Sequence, residues 1–242
     1  MIRCITFDLD DTLWAVAPVI RQANQTLFDW LARYAPAFTA LYRPDDLAAL
    51  RHIVLQQQPE IAHSVSQIRL AQLRYGLAQA GYGAVDAENL TRQAFEVFLE
   101  ARQQVTFFAH ARETLTLLRQ QGYRLGALSN GNADVQRVGL GDLMDFQFKA
   151  EQVGEMKPHP LMFETMLRHT GLRPEQVVHV GDHPEHDIAG ASQAGLWTVR
   201  VDLTACLSDR APPVPDEIVS CLSQLPSAIA SITKKAALKA TL

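Results

Sequence analysis

A chain of 242 residues, 48% hydrophobic and 20% charged, has apolar side chains enough for an ordinary core and a length that suits one large domain or two small ones. Its formal net charge of −4, with no Lys/Arg stripe outside the C-terminal "KKAALK", gives no electrostatic footprint for nucleic acid, and that tail reads as a frayed, solvated end. No apolar run is long enough for a membrane span and none of signal-peptide length precedes Asp8, so the cytoplasm is the expected location, with no membrane partner.

In chain order, residues 2 to 8 form a short apolar run rich in β-branched residues, the mark of a buried strand. From Pro18 to about Gln103 apolar residues recur at three- and four-residue spacing in "PVIRQANQTLFDWLARY", "DDLAALRHIVLQQQ", "SVSQIRLAQLRYGLAQAG" and "AENLTRQAFEVFLEARQQ", which predicts a block of about four helices. After residue 105 helix and strand patterns alternate: "ARETLTLLRQQG" then "YRLGALSN", "PLMFETMLRHTG" then "VVHVG", "DIAGASQAG" then "WTVRV". Such alternation argues for a parallel sheet covered on both faces. The expected architecture is α/β, a doubly wound parallel sheet built from residues 1–14 and 105–242, with an all-α insertion at 15–104. "RAPPVPDE" at 210–217 looks like a proline-stiffened connection. Cys4, Cys206 and Cys221 are odd in number and far apart, and without a C-x-x-C pair they read as buried thiols.

The first strand runs straight into "FDLDDT", three aspartates within four positions. Two carboxylates about 4 Å apart repel by roughly 4 kcal/mol at an effective dielectric near 20, so a cation, a proton or a basic side chain has to neutralise them. In a doubly wound sheet ligands bind beyond the carboxyl ends of the strands. The residues there are Asp8, Asp10, Asp11 and Thr12; Ser129, Asn130 and Gly131; and Gly181, Asp182 and His183, with Asp187 opening the next helix. "GEMKPHP" places Lys157 in a loop bounded by Pro158 and Pro160. Taken singly, Ser129-Asn130-Gly131 is an ordinary turn and Lys157 a solvated loop residue.

Together, and in this order, these four motifs identify the sequence as similar to the haloacid dehalogenase superfamily of phosphohydrolases, with the helical block in the position and size of that family's cap domain. The resemblance implies a phosphatase acting on a small-molecule phosphate ester. Asp8 would be the nucleophile that carries an aspartyl-phosphate, and Asp10 the acid for the leaving alcohol and the base for water. Mg²⁺ would be held by Asp8, the backbone carbonyl of Asp10, and Asp182, with Asp187 as ligand or support. Lys157 would bring a second positive charge, Ser129 and the Asn130 backbone would donate to phosphoryl oxygens, and Thr12 would orient the site. Asp187 has a second, compatible reading as the cap of the following helix.

Other residues draw plainer expectations. His183 and His186 read as solvated loop histidines, since no third ligand completes a zinc set. Asp11 is expected outside the site proper, Trp14 to pack, and Arg69 and Arg74 to lie on an exposed helix face. Within the superfamily a haloacid dehalogenase has no acid at the position of Asp10, a phosphomutase is left open, and a phospho-receiver domain has no use for the helical block. "PEIAHSV" and "LGDLMDF", taken as cap details, together with "SNGNA" resemble a bacterial branch acting on flavin mononucleotide and the phosphorylated ribityl-aminouracil of riboflavin synthesis.

Overall fold

The structure, a computed structural model, describes residues 1–203 and 214–239. Cys206 and residues 210–213, the first half of the "RAPPVPDE" connection, lie outside the described residues. By internal contact the chain divides into an α/β unit, Met1–Ala15 with Thr106–Leu242, and a helical unit, Val16–Val105. The first strand, β1 (Cys4–Phe7), is buried at every position and hands the chain to Asp8.

The helical unit contains α1 (Val16–Tyr34), α2 (Pro36–Leu41), α3 (Leu47–Gln57), α4 (Val65–Gln79) and α5 (Ala84–Arg102). Val19, Ala23, Leu27 and Leu31 form one buried stripe along α1, the spacing of an amphipathic helix. They pack with Phe38, Leu50, Leu73, Leu77, Phe95 and Phe98 into a core internal to this unit. The Ser64 hydroxyl accepts the Gln67 N–H and so starts α4. Helix α2 adds a fifth helix to the four read from the sequence. Arg74 lies at the surface, paired with Glu88 at 2.8 Å. Arg69 is not on an exposed face: its guanidinium stacks 4.3 Å over the Phe98 ring, donates to Asn24 and, desolvated beside Arg51, has its pKa lowered to about 10.

The chain continues through α6 (Ala111–Gln120), β2 (Arg124–Ser129), β3 (Phe146–Lys149), α7 (Ala150–Val153), α8 (Leu161–Thr170), β4 (Val177–Gly181), α9 (Gly190–Gln193), β5 (Trp197–Val201), β6 (Glu217–Val219) and α10 (Leu225–Lys239). All six strands pair in parallel in the order β3-β2-β1-β4-β5-β6. The chain therefore winds outward in both directions from β1, which places the switch point at the carboxyl ends of β1, β2 and β4. Cys4, Leu128, Phe146, Met162, Phe163 and Val177 pack one side of the sheet. Gly126 is required in β2, since a Cβ there would lie 2.1 Å from the Phe146 ring.

Three expectations are corrected. The tail "KKAALK" is the last part of α10, held by Leu225, Ile229, Ile232 and Ala236 on one stripe, rather than a frayed end. Cys4 is buried, whereas Cys221 is only half-buried, because it precedes a surface turn at Leu222–Gln224. "LGDLMDF" (140–146) belongs to the α/β unit, as the turn leading into β3, and is not a cap detail. Among the described residues no helix is long and apolar enough to cross a membrane.

Candidate active site

Carboxylates that follow β1 and β4 converge on one ammonium group. Asp8 follows β1 and its amide donates to the Val180 carbonyl of β4 at 2.9 Å, so the neighbouring strand fixes its backbone. Lys157, only 2% exposed, donates from Nζ to Asp8 Oδ1 at 2.7 Å and to Asp187 Oδ1 at 2.6 Å. Its loop is held by Asn130, whose side chain accepts the Lys157 amide at 2.7 Å and donates to the Lys157 carbonyl at 2.9 Å. The Asn130 side chain thus clamps the lysine loop, a task additional to the backbone role expected of it. Ser129, buried at the end of β2, accepts the Gly131 amide.

Asp187 lies inside a π-helical turn, Pro184–Ala189. Its Oδ2 accepts the His183 amide at 3.0 Å, and its Oδ1 faces both Lys157 and His179 Nε2, the latter at 3.2 Å. Asp187 does not cap the following helix, the second reading given to it: it lies within the turn, which His183 caps, and its carboxylate accepts an amide that precedes it. Gly181 makes room for it, because a Cβ there would fall 2.3 Å from the Asp187 carboxyl carbon. Asp182 accepts from the Thr12 hydroxyl at 3.0 Å.

His179 was not singled out by sequence reasoning, although a polar residue in the middle of the apolar strand "VVHVG" was the available signal. Fully buried, it contacts Thr6 Oγ1 through Nδ1 at 2.9 Å and Asp187 through Nε2. Burial, reinforced by the Lys157 charge, outweighs Asp187 and keeps its pKa below the usual histidine value. The neutral ring then donates from Nε2 to Asp187, with the Thr6 hydroxyl donating to Nδ1. Trp14 packs as expected, but its indole N–H also reaches Asp10 Oδ1 at 2.8 Å. Asp11 is exposed and left-handed, with φ 60°, a conformation asparagine and aspartate tolerate better than most residues. His183 is exposed, stacks 3.9 Å from His186, and accepts the Glu185 and His186 amides, which makes it a turn cap.

The charges do not balance without help. Burial is the largest influence on Asp8 and pushes its carboxyl well above the ordinary range even though Lys157 pulls the other way. Burial raises Asp187 too, but Lys157 and His179 together outweigh it and hold that carboxyl well below the usual range. Lys157 stays protonated, its own burial more than offset by Asp187 and Asp8. Asp182 is pushed up to about 6, by burial first and by the Asp187 charge next. One ammonium is shared by two carboxylates while a third stands beside them. Asp8, Asp182 and Asp187 each offer an oxygen, all within 4.8 Å of one another. An all-oxygen, carboxylate-rich donor set with uncompensated charge suits a hard divalent cation such as Mg²⁺. The residues present fit that ion.

A family model described as haloacid dehalogenase-like hydrolase matches residues 2–195. The 5-amino-6-(5-phospho-D-ribitylamino)uracil phosphatase of Escherichia coli is 31% identical over 81% of this chain and 81% of its own. A glyceraldehyde 3-phosphate phosphatase of Methanopyrus kandleri is 27% identical over 83% of this chain and 84% of its own. Among solved structures, a 2-haloacid dehalogenase from Pseudomonas syringae pv. Tomato superposes with a TM-score of 0.90 at 41% identity, covering 96% of this chain and 99% of that one.

Proposed function

Because the chain belongs to the haloacid dehalogenase-like hydrolases and is a phosphoric monoester hydrolase, we propose that it is a cytoplasmic, Mg²⁺-dependent phosphatase that hydrolyses a small phosphate monoester through an aspartyl-phosphate on Asp8. The observation that carries this is the Lys157 ammonium set between Asp8 and Asp187, with Asp182 completing the carboxylate group. A carboxylate oxygen of Asp8 attacks phosphorus in line as the bond to the leaving oxygen breaks, and Asp10 gives that oxygen its proton. Water then attacks the same phosphorus, Asp10 takes up its proton, and the bond to Asp8 breaks to release phosphate. Lys157, the Ser129 hydroxyl and the Asn130 amide supply preorganised donors for the phosphoryl oxygens. A divalent cation held by Asp8, the Asp10 carbonyl, Asp182 and Asp187 would add the remaining positive charge that phosphoryl transfer requires.

We take flavin mononucleotide and 5-amino-6-(5-phospho-D-ribitylamino)uracil as the foremost substrates. The named activity of the Escherichia coli relative supports the second, and "PEIAHSV" and "SNGNA" support the branch. Residues 15–104 act as a helical cap that sets substrate choice. The test is a panel of phosphate monoesters assayed for released phosphate with Mg²⁺ and after chelation. Turnover should need the metal and rank these two substrates first; turnover undiminished by chelation contradicts the metal role.

The Pseudomonas syringae structure favours a second reading, a 2-haloacid dehalogenase. Against it stands Asp10, an acid that displacement of halide does not need, here anchored by Trp14. Halide release from 2-chloropropionate in the same panel separates the two.

A further inference from the structure

We propose that Trp14 is a positioning residue for the Asp10 carboxylate, its buried indole N–H holding one oxygen of the group that protonates the leaving alcohol; this rests on the role given to Asp10 above. Trp14 is fully buried, whereas Asp10 is half-exposed on a loop beyond the strand. A buried indole N–H needs an acceptor, and any backbone carbonyl would satisfy it. Here it is met by a carboxylate, at 2.8 Å. One oxygen can accept this bond while the other carries or releases the proton, and a carboxyl group so held loses its freedom to swing about its side-chain torsions.

The indole is itself over-determined. The Asp11 amide donates to the Trp14 carbonyl at 2.7 Å and the Leu13 amide to the Leu9 carbonyl at 2.8 Å, which closes a tight loop around Asp10. Trp14 bridges to both Asp10 and Phe107, and the Phe108 amide returns to the Leu13 carbonyl at 2.8 Å. The Phe107 ring meets the indole edge-on, centroids 5.7 Å apart at 72°. Backbone ladder, ring packing and a single N–H therefore all act to fix one catalytic oxygen. Misplacement of a reacting group by about 1 Å can cost roughly a hundredfold in rate, which gives such an anchor a purpose.

The test compares Trp14→Phe, which removes the N–H and keeps a ring, with Phe107→Leu, which loosens the packing and keeps the N–H. Phenyl phosphate has a poorer leaving group than p-nitrophenyl phosphate and depends more on an acid. In Trp14→Phe, kcat/KM on phenyl phosphate should fall about tenfold, the equivalent of about 1.4 kcal/mol, with a clearly smaller loss on p-nitrophenyl phosphate. Phe107→Leu, which keeps the N–H, should shift that ratio clearly less than Trp14→Phe does, and Trp14→Phe should cost nothing further in an Asp10→Ala background. Independently of activity, the Trp14 indole N–H resonance of the ¹⁵N-labelled protein should move in Asp10→Ala. Equal losses on both substrates, an additive loss with Asp10→Ala, or an unmoved indole resonance would overturn the positioning role. Full turnover of Asp10→Ala would instead overturn the role of Asp10 itself, whatever Trp14→Phe shows.

Discussion

Replacing Lys157 by Ala removes the cation that Asp8 and Asp187 share. The substitution removes two charge-assisted hydrogen bonds, of 2.7 and 2.6 Å, from a side chain that is 2% exposed. Removing one partner of a buried ion pair typically costs about 3–5 kcal/mol, because the charge left behind has no solvent. The loss here should sit near the lower end at mildly acidic pH, since Asp8, already pushed upward by burial, can take a proton when the ammonium goes. Urea unfolding in chelator should show that loss, and unfolding in Mg²⁺ should recover part of it, because the ion neutralises the same oxygens. Turnover should not recover. Loss of one preorganised donor costs about 2.7–4 kcal/mol, or roughly a hundred- to thousandfold in kcat on p-nitrophenyl phosphate. Lys157→Met, which retains the apolar stem, should match the kinetic defect with a smaller packing penalty. A variant within about twofold of wild type in kcat, well below the expected loss, would refute the placement of Lys157 at the reacting group.

Three further outcomes follow from the same geometry. Asp182, held near 6 in the folded chain by burial and the Asp187 charge, sits above its unfolded value of about 3.9, so the charged form is penalised. Metal-free stability should therefore fall by about 2 kcal/mol as pH rises through that window; Asp182→Asn, in which Asp8 still carries a raised carboxyl, should fall less, and an equal change in unfolding midpoint between about pH 5 and 7.5 in the two proteins would contradict it. Gly181→Ala should displace the Asp187 carboxyl, from which its Cβ would lie 2.3 Å, and lower both melting temperature and turnover; a variant with wild-type kinetics would show that Asp187 has room to shift. Burial pushes the Cys4 thiol up to about 12, while the Ser223 hydroxyl lowers Cys221. Iodoacetamide near neutral pH should therefore mark Cys221 and spare Cys4 in peptide maps of the native protein.

The strands β1, β2 and β4 were legible as largely apolar runs that end in a polar cluster, and β5 as a short segment with two valines that follows a helical pattern. The edge strands were not. In β3 three of four residues are half-exposed, and β6 is only three residues long, so neither carries the hydrophobic run that betrays a central strand. Helix α10 was hidden by its two adjacent lysines, although Leu225, Ile229, Ile232 and Ala236 recur at helical spacing. For the site, the acids and Lys157 could be read from their positions after strands, but what holds them could not. Asn130 reaches Lys157 across 27 residues and His179 meets Thr6 across 173, distances at which no local pattern gives a signal. Trp14 lies four residues from Asp10 and was within reach of sequence reasoning, but an indole just past the aspartate motif reads as packing until its N–H is seen to find a carboxylate.

The central claim is that Asp8 carries the phosphoryl group, and intact-protein mass spectrometry after rapid acid quench tests it most directly. Asp10→Asn keeps the nucleophile but withdraws the base that activates water, so with p-nitrophenyl phosphate and Mg²⁺ a phosphorylated enzyme should accumulate, and peptide mapping should place the added group on Asp8. Asp8→Asn should show no adduct. An adduct on Asp8→Asn, or one mapped to any residue other than Asp8, would contradict the account.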